Sequence, residues 1–322
     1  MNFQQLRSVR EAVRQGFNLT AVADALHTSQ PGVSRQIREL EEELGIELFV
    51  RAGKRLTGLT PPGQAVLPII ERMLGEAANL KRAGEDFARQ DSGVLTVAAS
   101  HSQARYALPH VVRDFRAKHP RVNLRIHQGS PTQVAQMLLK GEADLGVATE
   151  ALALYPELVA LPCYQWTHVV LVTPGHPLAE DADRGEPLSL QRLAEFGLIT
   201  YDEGYTGRSH IDDAFGRAQI QPSIVLEAMD ADVIKTYVEL GMGVGIVAAI
   251  AVDEQRDTGL RVLEARHLFA PNTTRVAIPR AAYLRRYAFD FIETFVPTLT
   301  RSVVEQALAA SPDAAPPVSF EI

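Results

Sequence analysis

Ser29, Gln30, Pro31, Ser34, Arg35 and Arg38 combine side chains that read base edges with the spacing of one helix face. They lie in the stretch 18–42, NLTAVADALHTSQPGVSRQIRELEE. This reads as two short helices around a tight turn, the arrangement by which a helix-turn-helix offers its second helix to the DNA major groove. Arginine suits guanine through a bidentate contact, and glutamine suits adenine. Arg51, Lys54 and Arg55 surround Gly53 in a short basic turn. That turn is fitted to phosphates or the minor groove, so it adds affinity and salt dependence more than sequence choice. A charged helix face alone is usually only solvated; the case for DNA binding rests on turn, cap and cationic hairpin occurring in order.

A second group is uncharged. Ser100-His101-Ser102-Gln103 joins an expected strand to an expected helix. Ligands of open α/β sheets sit at the carboxyl ends of strands. Hydroxyls converging with free helix-start amides make an anion site without lysine or arginine. Thr149, at the end of a later strand, adds a hydroxyl. The plainer role for Ser100 or Ser102 is a helix cap. Trp166 is the only tryptophan and falls near the expected lobe crossover, where lining a cleft and packing a hinge are equally open. Thr206–Ser209 opens another helix and offers amides to a ligand, while Arg208 has a surface salt bridge as its alternative.

Catalysis finds no support. His101, His127, His168, His176 and His210 are scattered, with no metal-ligand spacing and no nucleophile motif. No enzyme activity, metal or cofactor is expected. Cys163, the single cysteine, rules out an intrachain disulfide and reads as packing. That fits a reducing cytoplasm. The N-terminal MNFQQLRSVREAV is amphipathic and is not expected to be a signal peptide. No run of about 18 apolar residues exists to span a membrane.

The elements that must position these groups follow from length and periodicity. At 322 residues two or three domains are expected. A net charge of -7 is unsuited to non-specific coating of nucleic acid, whereas a sequence-specific binder needs only a local positive patch. Residues 1–59 form the expected DNA-binding domain. Phe3, Leu6, Val9 and Val13 give a first helix, Asn18 or Thr20 caps the second, which Val22, Ala25 and Leu26 line inward, and Thr28 or Ser29 caps the third. Val33, Ile37, Leu40 and Leu44 face inward on that third helix, and Gly45 ends it. Residues 60–92 follow as a linker and dimerisation helix. Val66, Ile70, Met73, Ala77, Leu80, Gly84 and Phe87 form its seam, Pro68 should bend it, and Gln90-Asp91-Ser92-Gly93 closes it as a polar break. The alternative is a helix packed within its own chain.

From 93 to 322 strands alternate with helices. Strands are expected at 94–99, 122–127, 144–148, 168–173, 198–201, 223–227, 244–247 and 274–278. Helices are expected at 103–118, 132–140, 188–194, 208–218, 231–240 and 282–309. Two α/β lobes with a cleft between them suit a hinged small-ligand receptor. Lobe I spans about 93–165 and 267–310, and lobe II about 166–266. The tail SPDAAPPVSFEI is expected to be loose.

This order of parts resembles the LysR-type transcriptional regulators along essentially the whole chain. The general motif is carried by Ala25, Leu26, Ser29, Gln30, Pro31, Val33, Ser34, Ile37, Leu40, Glu41, Leu44, Gly45, Leu48 and Phe49, then Leu59, Thr60 and Gly63. Val22 departs from the usual alanine, an apolar-for-apolar change. A narrower resemblance to the CysB-like regulators rests on the strings 1–7, 54–60, 101–106, 206–209 and 230–237. It implies an α+β multi-domain fold: an N-terminal winged helix-turn-helix, a long dimerisation helix, and a C-terminal two-lobed domain like a periplasmic binding protein. It also implies a homodimer or homotetramer on promoter DNA, RNA polymerase as a partner, and mostly activation of sulfate and thiosulfate uptake and cysteine synthesis genes. The implied effectors are acetylserine-like inducers and opposing sulfur oxyanions. Within such regulators, control of sulfonate or other organosulfur use, or of another metabolic operon, is the alternative.

Ser100, Ser102, Gln103 and Thr149 fall on positions that resemble the CysB-like anion pocket, with serine replacing threonine at 100 and 102. Asp202 departs from it, since the family usually offers a threonine there. Its carboxylate would repel sulfate and attract the ammonium of a zwitterionic inducer, or else it turns outward to solvent.

Overall fold

The computed structural model of the protein describes residues 1–310 apart from 54, 89–91, 206 and 254, and only the backbone of 85–88 and 150. Expectations for Lys54, Gln90, Asp91, Thr206, the Phe87 side chain and the tail fall outside these residues. The chain forms two compact units, Met1–Ala88 and Arg89–Ile322.

In the first unit α1 (Phe3–Arg14) starts at a capping box, in which the Asn2 side chain accepts from the Gln5 amide and the Gln5 side chain from the Asn2 amide. Asn18 caps α2 (Leu19–Ala25), accepting from Thr20 and Ala21. Ser29 caps α3 (Gln30–Leu44), with Pro31 in its first turn, where no intrahelical amide is needed. Gly45, at φ 69°, ends it in the left-handed region that favours glycine. The hairpin β1 (Phe49–Ala52) and β2 (Arg55–Leu59) follows. Leu6, Val9, Val22, Val33, Ile37, Leu40, Leu48, Phe49 and Leu56 make one buried cluster.

Three residues expected inside lie outside. Phe3 is 51% exposed, Leu44 40%, and Ala25 is exposed too, because they occupy the first or last positions of their helices, where the chain is leaving the core. The long helix α4 (Pro61–Ala88) divides along its length. Ile70 and Leu74 are buried in the unit's own core, with Val66 and Met73 packed against it, while Leu80 is 77% exposed. The intrachain alternative therefore holds for the first half of the seam and not for Leu80.

The second unit carries two five-stranded sheets. Its elements in order are β3 (Gly93–Ala99), α5 (Leu108–Lys118), β4 (Val122–Gln128), α6 (Pro131–Leu139), β5 (Leu145–Ala148), β6 (Leu158–Trp166), β7 (His168–Val172), α7 (Pro177–Asp183), α8 (Leu190–Leu193), β8 (Gly197–Tyr201), α9 (Arg208–Arg217), β9 (Ser223–Ala228), α10 (Ala231–Glu239), β10 (Val244–Ala248), β11 (Arg261–Glu264), β12 (Asn272–Pro279), α11 (Arg286–Phe295) and α12 (Arg301–Ala309). One sheet runs β4-β3-β5-β12-β6 and the other β11-β7-β10-β8-β9. The chain passes between them twice, at Thr167 and again between β11 and β12.

Three differences from expectation have local causes. β6 escapes the strand pattern because Pro162 interrupts it; the residue is tolerated because β6 is the sheet edge and the register shifts beside it, between Thr274 and Arg275. The last expected helix is two, α11 and α12, broken where Pro297 cannot donate an amide. The helix expected from 103 opens with a π turn at Gln103–Ala107 before α5.

Candidate functional site

In the first unit, Gln30, Pro31, Arg35 and Arg38 are exposed and Ser34 is partly exposed, all on α3. Arg35 is tied to Glu39 one turn later at 2.7 Å, which holds the side chain along the helix. Ser29, also exposed, accepts from the Gly32 amide at 3.3 Å, so its hydroxyl is used as the cap. Buried Ser8 donates to Gln36, and Gln5 donates to Glu39 at 3.2 Å, so the back of α3 is fixed to α1 by side-chain hydrogen bonds.

The hairpin gives Arg51 and Arg55 different surroundings. Arg55 is exposed. Arg51 is half-buried and pairs at 2.5 Å with Glu41, a buried carboxylate that also accepts from the Leu48 and Phe49 amides. The expected phosphate role of Arg51 thus meets a structural one, in which it helps bind the hairpin to α3. Sequence spacing missed this because Glu41 lies ten residues away, on another element.

In the second unit, Ser100, Ser102, Gln103 and Thr149 gather at the carboxyl edge of the first sheet, and all are at least nine-tenths buried. The Ser100 and Ser102 hydroxyls have no hydrogen-bond partner among the described residues. Neither caps its helix, so the plainer reading of them is not the one adopted. Gln103 differs: its Nε2 donates to Thr274 Oγ1 at 3.0 Å and its Oε1 accepts from Tyr164. That side chain is held by these two hydrogen bonds rather than left open. Burial pushes the Tyr164 phenol up to about 12.

Across from these groups, Tyr201 ends β8, fully buried, with its phenol near Ser102 and accepting from the Ala248 amide at 3.1 Å. Burial pushes it up to about 12, so it stays neutral. Arg208 is not on the surface. It is buried, donates to the Tyr201 carbonyl and pairs with Glu227 at 2.6 Å and Asp212 at 2.8 Å, fixing the end of β8. Asp202 is exposed and its Oδ1 accepts from the adjacent Glu203 amide at 2.8 Å. It closes its own turn, the outward alternative. Trp166 is buried at the first crossover, edge-on to His168, and its indole N–H has no partner among the described residues.

Sequence reasoning missed a contact that joins the lobes. Asp232 on α10 accepts from Tyr106 at 2.7 Å and from Arg105 at 3.1 Å, both on the π turn, and pairs with Lys235 at 3.2 Å. Lys235 also pairs with Asp257 and sits 5.4 Å from the Tyr106 ring centroid. Burial would raise the Asp232 carboxyl, but the hydrogen bonds from Tyr106, Arg105 and Lys235 outweigh it and hold it below the usual carboxylate range. His101 lies near Asp230 and Asp232, with ligand-type atoms of the three residues within 4.8 Å of one another. Asp230 is already spent capping α10 and Asp232 on its three donors. The strings 101–106 and 230–237 both stood out in the sequence, yet no spacing rule joins residues 126 positions apart.

Among the described residues no helix is long and apolar enough to cross a membrane. The profile described as "Bacterial regulatory helix-turn-helix protein, lysR family" matches residues 3–64, and "LysR substrate binding domain" matches 88–300. The HTH-type transcriptional regulator SsuR of Burkholderia cenocepacia is 59% identical over 304 residues, 94% of this chain and 97% of that protein. CysB of the same organism is 55% identical over 308 residues, covering 96% and 97%. Among solved structures, the cofactor-binding domain of the Cbl transcriptional regulator aligns with a TM-score of 0.64 at 44% identity, over 68% of this chain and 95% of that one.

Proposed function

The chain belongs to the LysR family of bacterial transcriptional regulators, a family of DNA-binding proteins rather than enzymes, and from that membership we propose that it controls sulfur assimilation and cysteine biosynthesis genes through a small effector held between its lobes. The observation that carries the effector reading is the pair of buried, unpartnered hydroxyls of Ser100 and Ser102 beside Thr149. Buried hydroxyls without partners cost folding free energy that a bound oxyanion or carboxylate returns. Sulfate, thiosulfate and acetylserine-like molecules all offer such oxygens, and the similarity to CysB supports this choice among anions.

On the DNA side, Gln30, Ser34 and Arg38 face base edges, and Arg55, with Lys54, meets phosphates. The exposed Leu80 supports the outer half of α4 as a surface for a second copy in a homodimer or homotetramer. The protein acts in the cytoplasm, with promoter DNA and RNA polymerase as its macromolecular partners.

Calorimetric titration of the full chain with sulfate, thiosulfate, O-acetylserine and N-acetylserine tests the reading. Saturable binding of at least one is expected. Ser100→Ala or Ser102→Ala should each weaken it by about fivefold, from ~1 kcal/mol per hydrogen bond. If none of the four binds, the sulfur effector is wrong, although the family assignment stands.

A further inference from the structure

The Ser100 and Ser102 hydroxyls are shut away from solvent as well as unpartnered among the described residues. The Tyr201 phenol of the other lobe lies beside Ser102. A ligand therefore reaches these hydroxyls only when the lobes part. The π turn that follows them, Gln103–Ala107, is fastened to both lobes. At its start Gln103 is held to Thr274 of β12 and Tyr164 of β6, in the first lobe. Further along, Tyr106 crosses to the second lobe. Its ring packs against the buried cluster that contains Tyr201, Ile234 and Val247, and its hydroxyl donates to Asp232 Oδ1 at 2.7 Å. Asp232 sits in the first turn of α10, and Arg105 donates to its other oxygen at 3.1 Å. Lys235, on the same helix, pairs with Asp232 at 3.2 Å and donates to the Ala251 carbonyl at 3.0 Å, so the acceptor is fixed to its own lobe.

We infer that Tyr106 and Asp232 form a latch that keeps the cleft shut in the unliganded protein and must open before an effector enters or leaves. What enters rests on the proposed effector site; the latch itself does not. The turn cannot stay fastened at both ends when the lobes part. Gln103 and Thr274 are buried, and separating them would strand polar atoms, whereas Tyr106 and Asp232 are only partly buried and water can take each other's place on them. The Tyr106–Asp232 contact is thus the end that gives. Its carboxylate acceptor makes it stronger than a neutral hydrogen bond, while the exposed Arg105 adds little. A latch made both before entry and after it slows association and dissociation alike and leaves the affinity unchanged.

The test uses the full chain and Tyr106→Phe, which keeps the ring and removes only the hydroxyl. The first readout needs no effector. A thiol placed by Ser102→Cys is labelled from solvent only when the cleft opens, and adding Tyr106→Phe should speed its labelling about tenfold. Buried Cys163 is the internal control and should label no faster. Arg105→Ala should speed labelling at 102 by less than about threefold. Equal labelling with and without the Tyr106 hydroxyl would overturn the latch, and so would a matching rise at Cys163, which would show general loosening of the fold. Ser100→Cys carries the same comparison if Ser102→Cys does not fold. The second readout is stopped-flow fluorescence of Trp166 with sulfate and N-acetylserine as probes. Association and dissociation rates should both rise about tenfold in Tyr106→Phe, with Kd held within about twofold. Faster dissociation alone, with weaker binding, would make Tyr106 a merely structural residue and overturn the latch. If neither probe binds while labelling at 102 rises as expected, the sulfur reading fails and the latch stands.

Discussion

The basic residues of the first unit separate into those proposed to read DNA and one that anchors the hairpin once their partners are known. Arg38 is exposed on the reading helix, Arg55 is exposed on the hairpin, and Arg51 is tied to buried Glu41. Arg38→Ala should therefore relax base preference at one operator position by about 1–3 kcal/mol. Arg55→Ala should weaken binding to all sequences and reduce the salt slope of log K by about one unit. Promoter binding at several salt concentrations, with matched and mismatched operators, distinguishes the two. Asp202 bears on the cleft in the same way. Its carboxylate is exposed and accepts from Glu203, so Asp202→Thr should change sulfate affinity by less than about twofold, the size of a surface substitution. A large gain would return the carboxylate to the ligand. Residue types told which groups suit DNA and which suit an anion. They did not tell which were already engaged: Arg51 and Gln103 look as available in the sequence as Arg55 and Ser102.

Glu41 shows how one side chain binds two elements. It extends from α3 and accepts the amides of Leu48 and Phe49 as well as the Arg51 guanidinium. Glu41→Ala would leave those buried donors without an acceptor and should cost about 1–3 kcal/mol, read as a lower midpoint in chemical unfolding. An unchanged midpoint would mean that water replaces the carboxylate. Helix starts were the most legible features, because Asn18 and Ser29 cap locally and their signal lies within three residues. The capping box at Asn2 is equally local. The edge strand β6 and the short β11 went unread because an edge strand admits a proline and a four-residue strand shows too little alternation. The π turn at Gln103–Ala107 has no sequence period of its own, yet it carries Gln103, Arg105 and Tyr106.

One link between the two lobes runs through Asp232, and it is expected to respond to acid. A carboxyl held below its usual range in the folded protein stabilises the fold fully above its unfolded pKa, and that contribution disappears as pH falls through the lower folded value. The window therefore lies below about pH 4. Trp166 fluorescence of the full chain should show a step there that is absent in Asp232→Asn. A step that persists in the variant would assign the transition to other carboxylates. The domain order and the winged helix-turn-helix could be read from sequence alone, whereas this interlobe link could not, since it depends on how two distant strings meet. The long helix α4 has a further consequence. Its first turns are locked to the hairpin, for Gly63 lies so close to the Leu48 carbonyl that a Cβ there would meet the oxygen at 2.0 Å, and Thr60 donates to the Glu47 carbonyl. Twenty-eight residues span about 42 Å at 1.5 Å per residue. The helix is thus a lever with its fulcrum at the hairpin: a tilt of about 10° moves its far end by roughly 7 Å, and a displacement of that size imposed at the far end turns the DNA-reading surface by the same angle.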